Sequence, residues 1–327
     1  MAYFDYVCDC HNDSILRIGE GEYDSLVSCY NLSKEHRFLQ LFAIFNENGS
    51  GRCRKSIADK FGVDETDLFG AVLKFIDEYD KRADIGEFCA CKSYKEVESA
   101  LKCGNNIGMP ALEGAGMVDT LDKLHLIYGR GVRFITLTWN YSNCIASGCS
   151  VTDTTDDRGL TDYGREFVKE CGRLGVGVDL SHASVKTMHD VLETAAGPVF
   201  ATHSNFREIC NHVRNLPLDI AKEIVRRGGF IGLNTFLPFV KDGIEYKDYD
   251  AELLFEHVDY ALINGFGDNI GFGFDIDGVD DYPRNISLKR SIHDQYINLP
   301  AFKEKYDERV RQGICCTNFF DFLKRFF

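Results

Sequence analysis

Short apolar runs recur along the chain, and stretches with helical spacing separate most of them. Residues 39–45 (LQLFAIF) are almost continuously apolar, the pattern of a strand buried on both faces. Residues 6–10 form a shorter run that leads into polar residues. Residues 107–112, 132–138, 176–181, 199–202, 230–234 and 270–274 complete a set of eight candidate strands. Between them, Thr161 can cap a helix whose apolar positions Phe167, Cys171 and Leu174 recur at helical spacing and which Gly175 ends. Ser184 can cap another, with Val185, Met188 and Leu192 on one face. Pro217 suits a first helical position, followed by Ile220, Ile224 and Val225, with Gly228 at the close. Residues 66–81 and 250–264 are also helical by pattern. Buried strands alternating with helices predict an α/β protein, a (β/α)8 barrel of the TIM type rather than an open sheet. The stretch 46–105 is too long for one crossover and predicts extra helices, with a short strand at 88–91. No repeat, low-complexity segment or linker interrupts the pattern, so the expected organisation is one barrel domain over residues 1–327 with a helical elaboration around 46–105.

Composition narrows the class of partner. Hydrophobic residues make up 44% and charged residues 27%, an ordinary globular balance with material for a sizeable core. The formal net charge is −14, and no basic stripe stands ready to neutralise phosphates, which argues against a nucleic-acid partner. No run of about 20 apolar residues exists, so no membrane span is expected. Met1 is followed almost at once by Asp5 and Asp9, unlike the cationic and apolar start of a secretory signal. The 13 cysteines are odd in number and lack C-x2-C spacing, so they read as reduced thiols serving as small buried hydrophobes. A cytoplasmic location is the expectation.

Chemistry in a (β/α)8 barrel sits at the C-terminal ends of the strands. His11 and Asp13 follow the first run, two apart, so on an extended backbone they point to the same side. Glu113 follows the third run, His182 the fifth, His203 the sixth and Asp275 the eighth. Six metal-capable side chains thus leave five strands, and closing the barrel would gather them. Imidazole and carboxylate donors suit zinc and similar divalent ions. A carboxylate able to bridge two ions, with a second one free to accept a proton, makes a hydrolytic set. Each residue alone has a blander explanation. A lone histidine at a strand end is more often a hydrogen-bonded structural residue, Asp275 and Asp277 fit turns, and Glu113 before Gly114 fits ordinary loop polarity. Asp179, in a run that otherwise reads as buried, can support a helix end or a ligand histidine from behind. The set taken together, in this order and at strand exits, favours a metal. His36, His125, His189, His257 and His293 lie away from strand exits and suit structural roles, whereas His212 is near Arg214.

Eight motifs occur in order: Asp9-Cys-His-Asn-Asp13, Leu112-Glu-Gly-Ala115, Leu137-Thr-Trp-Asn140, Gly159-Leu-Thr-Asp-Tyr-Gly164, Val178-Asp-Leu-Ser-His182, Ala201-Thr-His-Ser204, Val213-Arg-Asn-Leu-Pro217 and Gly273-Phe-Asp-Ile-Asp-Gly278. Over most of the chain they resemble the membrane dipeptidase (renal dipeptidase) family of zinc metallopeptidases, peptidase family M19. The match is weakest over 46–105 and 280–311. The resemblance implies an amidohydrolase-like barrel with two Zn2+ per chain, or other divalent ions. It implies that His11 and Asp13 hold one ion, that His182 and His203 hold the other, and that Glu113 bridges them. It further implies Asp275 as proton shuttle and Arg214 as the grip on a dipeptide's terminal carboxylate. Such enzymes hydrolyse dipeptides, often with a D-residue at the C-terminal position; some open β-lactams, and many are homodimers. One departure stands out: the family pattern has a histidine where this chain has Trp139. An indole N–H donates a hydrogen bond but carries no proton or charge. Trp139 or Asn140 is therefore expected to give an uncharged contact to the reacting carbonyl. The membrane address of mammalian members is not expected to carry over. The alternatives are hydrolysis of a β-lactam, a lactone or an N-acyl amino acid, and a catalytically silent metal-binding protein. The last would predict loss of a ligand or of Asp275, and all are present.

Overall fold

A computed structural model describes residues 6–17, 37–46, 51–245, 248, 250–275 and 300–327. His36, Asp277, His293 and the stretch 280–299 lie outside the described residues. Among the described residues nine strands occur in chain order: β1 (Tyr6–Asn12), β2 (Arg37–Ile44), β3 (Cys89–Ala90), β4 (Ile107–Glu113), β5 (Phe134–Thr136), β6 (Gly177–Asp179), β7 (Val199–Phe200), β8 (Ile231–Leu233) and β9 (Ile270–Phe272). Their pairings are parallel, in the order β7-β6-β5-β4-β2-β1-β9-β8. The two ends of that path meet through a parallel bridge between Ala201 and Ile231, which nearly closes the sheet into a (β/α)8 barrel. β3 lies outside the ring and pairs with the first two residues of β4.

The sequence pattern explains the elements. β2 is buried from Phe38 to Ile44, as a strand between lumen and outer helices must be. Thr161 caps the helix Asp162–Leu174 by accepting the N–H of Gly164, and Gly175 ends it in the left-handed region at φ 71°. Ser184 caps Val185–Thr194 through the N–H of Thr187. Pro217 occupies the cap position itself, one residue before the helix Leu218–Arg226. Residues 51–105 contain the helices Lys55–Phe61, Leu68–Asp84 and Tyr94–Lys102 around β3. Tyr79 anchors this group to the barrel by donating its hydroxyl to the Gly108 carbonyl at 2.7 Å. The helix Asn318–Phe326 packs its phenylalanines on Phe134, Phe200 and Phe230, near the starts of β5, β7 and β8. Among the described residues no helix is long and apolar enough to cross a membrane, and the cysteines are free thiols.

Several strands are shorter than their apolar runs. β6 ends at Asp179 and β7 at Phe200, two residues short of the run ends at 181 and 202. There the Asp179 carboxylate replaces the ladder, accepting the backbone N–H of Ser181 and of Thr202 at 2.9 Å each. The seam beside β8 is tight. A Cβ on Gly232 or Gly273 would overlap the carbonyl oxygen of Thr202, so both positions need the absent side chain.

Candidate metal centre

The exits of β1, β4, β6, β7 and β9 converge on one buried cluster. The register of β1 shifts between Asp9 and Asn12. Asp9 organises that turn: its Oδ1 accepts the N–H of His11 at 3.2 Å and of Phe274 at 3.0 Å, tying β1 to the exit of β9. His11 Nε2 then lies 3.4 Å from Glu113 Oε2 and 3.8 Å from both Asp13 Oδ2 and Asp275 Oδ1. The other oxygen of Glu113, Oε1, lies 2.9 Å from His182 Nε2 and 3.6 Å from His203 Nε2. Three sets of residues each bring one ligand atom per side chain within 4.8 Å of one another: His11, Asp13 and Glu113; Glu113, His182 and His203; and His11, His203 and Asp275.

The free lone pairs in this cluster suit a cation. His11 Nε2 and Asp13 Oδ1 are buried without a hydrogen-bond partner, a costly state for a polar atom. His182 and His203 turn their Nε2 atoms toward each other at 2.9 Å. Two imidazoles on one tetrahedral zinc would bring these atoms to about 3.3 Å. Behind them, His182 Nδ1 meets Asn140 Oδ1 at 2.8 Å and His203 Nδ1 meets Thr202 Oγ1 at 2.7 Å. The Thr202 hydroxyl donates to Asp179 Oδ2 at 2.5 Å, so it accepts from Nδ1–H of His203. Asp179 thus supports His203 through Thr202.

Charge in the cluster is lopsided. Burial favours a neutral His11, but the nearby charges of Glu113, Asp13 and Asp275 outweigh it and hold the imidazolium up to about 10. Burial pushes Glu113 up, yet the charge of His11 beside it, and then the contact with His182, hold it below the usual carboxylate range. Burial raises Asp13 well above that range, with Glu113 and Asp275 adding and His11 opposing. Asp275 is raised too, by burial and then by Glu113, against the pull of His11. Burial, followed by the charge of Arg214, lowers His182 to about 3. Burial and the His11 charge hold His203 well below its ordinary value. Both rings are therefore neutral, the form that ligates metals.

Two of these residues sit in unusual backbone. His182 at φ 64° and Asp275 at φ 57° are in the left-handed region. The carbonyl of His182 accepts Thr138 Oγ1 at 3.1 Å and the N–H of Cys149 at 2.8 Å. Asn234, at the exit of β8, donates to Asp275 Oδ2 at 2.8 Å. Asn234 ends the apolar run 230–234 and was not among the expected site residues. Its place on the same mouth was the available signal.

Arg214 is buried beside the cluster. Its Nη2 donates to the His203 carbonyl at 3.2 Å and Nη1 to Ser204 Oγ at 3.4 Å, while Nε has no partner. Among the described residues no carboxylate pairs with it. Trp139 stands between the rings of Phe45 at 5.0 Å and Tyr141 at 5.6 Å, with His182 at 6.1 Å. His212 is occupied structurally, accepting the N–H of Arg214 and packing on Phe239. His125, His189 and His257 lie outside the donor groups.

A family model described as membrane dipeptidase (peptidase family M19) matches residues 6–324. An uncharacterised dipeptidase of Schizosaccharomyces pombe is 36% identical over 219 residues, covering 63% of this chain and 52% of that protein. The match therefore spans about half the length of this curated relative. Among solved structures, a metallopeptidase from Rhodobacter sphaeroides liganded with a phosphinate mimic of the dipeptide L-Ala-D-Ala aligns with TM-score 0.79 at 25% identity, covering 98% of this chain and 99% of that one. Dipeptidase AC, described as an M19 metallopeptidase, aligns with TM-score 0.79 at 26% identity, covering 98% of each chain.

Proposed function

Because this chain belongs to the membrane dipeptidase family, peptidase family M19, we propose that it is a metal-dependent hydrolase that cleaves the peptide bond of dipeptides. Glu113 carries the proposal: its two oxygens face two separate donor groups, as a carboxylate shared by two ions would. His11, Asp13 and Glu113 would hold one divalent ion, and Glu113, His182 and His203 the other. Zinc is the expected metal for this mixture of imidazole and carboxylate. When bound, the ion pair supplies an activated water and Lewis-acid stabilisation of charge on the scissile carbonyl.

The remaining steps fall to the protein's own side chains. Asn234 holds Asp275 Oδ2, leaving Oδ1 turned toward His11. That oxygen takes the proton of the attacking water and returns it to the nitrogen of the departing amine, as the C–N bond breaks and two amino acids form. The raised affinity of Asp275 for a proton suits this exchange. Arg214 binds the C-terminal carboxylate of the substrate, since its buried guanidinium has a free Nε and no ion-pair partner among the described residues. Trp139 offers the reacting carbonyl an uncharged contact. The phosphinate mimic of L-Ala-D-Ala bound by the Rhodobacter sphaeroides metallopeptidase makes L-Xaa-D-Xaa dipeptides the first substrates to try.

A panel of L-Xaa-L-Xaa and L-Xaa-D-Xaa peptides, with metal analysis before and after chelation, tests the proposal. Hydrolysis should vanish with the metal and return with one divalent ion. Failure of fully metallated protein to cleave any dipeptide would overturn it.

A further inference from the structure

The connection that follows β5 wraps His182 from behind. Thr138 Oγ1 and the Cys149 N–H both bond its carbonyl, and Gly148 bridges to Ala183 next to it. The same connection brings Asn140 Oδ1 to within 2.8 Å of His182 Nδ1. The Cys149 thiol, buried in the same turn, points to that oxygen at 3.3 Å. The Ser150 N–H bonds the Asn140 carbonyl at 2.9 Å and fixes the residue's backbone.

We propose that Asn140 is a positioning residue for His182: its side-chain oxygen fixes the ring with the proton on Nδ1 and the lone pair on Nε2. Two donors, a ring N–H and a thiol, converge on that oxygen, which satisfies both only as an acceptor. A flipped amide would present N–H groups to Nδ1 and move the ring proton to Nε2. That proton would then point at Glu113 Oε1 and His203 Nε2, the other members of the donor group. His203 is held differently, by a hydroxyl backed by the Asp179 carboxylate. The two histidines of one donor group thus have unlike supports, a neutral amide and a relayed charge. With its oxygen committed behind the ring, Asn140 acts on the reaction through His182 and not by touching substrate.

The inference rests on the metal reading above, and metal binding is its readout. Wild type, Asn140→Ala and Asn140→Asp are loaded with Zn2+ or Co2+, and each equivalent's affinity is measured by chelator competition. Asn140→Ala should weaken one equivalent by about ten- to hundredfold, leave the other unchanged and alter the Co2+ absorption spectrum. Once saturated with metal, it should keep the wild-type KM for a dipeptide. Asn140→Asp retains the acceptor and should bind at least as tightly as wild type, which keeps the test available if the alanine variant does not fold. Wild-type affinity in Asn140→Ala with a raised KM would overturn the inference and make Asn140 a substrate contact. Weakened binding in Asn140→Asp would also overturn it. Wild type that binds no divalent ion would overturn the metal reading itself, and this inference with it.

Discussion

Arg214 allows the proposed substrate class to be tested by subtraction. Its guanidinium belongs to a residue only 2% exposed, so it has already lost its water. Two of its nitrogens make long contacts, to the His203 carbonyl and the Ser204 hydroxyl, and Nε makes none. A substrate carboxylate can take Nε and one Nη as a fork. Each hydrogen bond to a charged partner is worth about 1.5–3 kcal/mol, so the pair amounts to about 3–6 kcal/mol. At about 1.4 kcal/mol per decade, that is about a hundred- to ten-thousandfold in kcat/KM. Arg214→Met keeps the length and removes the fork. It should lose that factor on a dipeptide and little on the same dipeptide's C-terminal amide, which wild type already handles poorly. Arg214→Lys should fall between, because a point charge replaces a planar fork. Metal content, measured on each variant, separates this effect from damage to His203. An equal loss on acid and amide would refute the assignment of Arg214 to the substrate carboxylate.

Trp139→His should change kcat for dipeptides while metal content stays constant, because position 139 flanks His182 without joining a donor group; unaltered turnover across several dipeptides would exclude Trp139 from the reaction. His257 is buried as a neutral ring, donating Nε2–H to the Val240 carbonyl at 2.9 Å and accepting the Phe206 N–H at Nδ1. Burial lowers its pKa from 6.5 to about 4, so its contribution is complete above pH 6.5 and is lost as pH falls from there toward 4, by about 3 kcal/mol. Urea midpoints of wild type should therefore drop between pH 7 and pH 4.5 by more than those of His257→Gln; identical drops would show that this ring is not responsible. Gly273→Ala forces a methyl onto the Thr202 carbonyl, and should cost about 1–3 kcal/mol in urea unfolding as overpacking does. An unchanged midpoint would mean that the seam yields.

The barrel was readable in the sequence because a parallel strand covered on both faces must be apolar throughout. Runs such as 39–45 and 107–112 therefore mark their strands to within two residues at either end. A parallel barrel also sends every strand exit to one mouth. That is why His11, Glu113, His182, His203 and Asp275 could be grouped before any distance was known. Run ends were less faithful: Ser181 and Thr202 are buried like strand residues, but their N–H groups bond Asp179 and not a neighbouring strand. Burial is what the pattern records, and pairing is not. The supports of the cluster were harder still. Asn140, Thr202 and Asn234 matter through the direction of single hydrogen bonds, which depend on rotamers and on neighbours that meet only when the ring closes. Asp179 betrayed itself as a carboxylate in an apolar run, whereas a threonine or an asparagine at a strand exit gives no comparable signal.

Three residues other than glycine among those described adopt a positive φ: Asp153, His182 and Asp275. Asp153 lies in an exposed turn, where such a conformation is ordinary. The other two belong to the donor groups. Selection for an easily folded chain would set glycine at both, since a side chain there opposes the backbone by about 1–2 kcal/mol. An imidazole and a carboxyl persist at these positions against that preference. Torsion angle and exposure together, with no reference to metals or motifs, would single out the same mouth of the barrel as the place where this protein gives up conformational comfort for work.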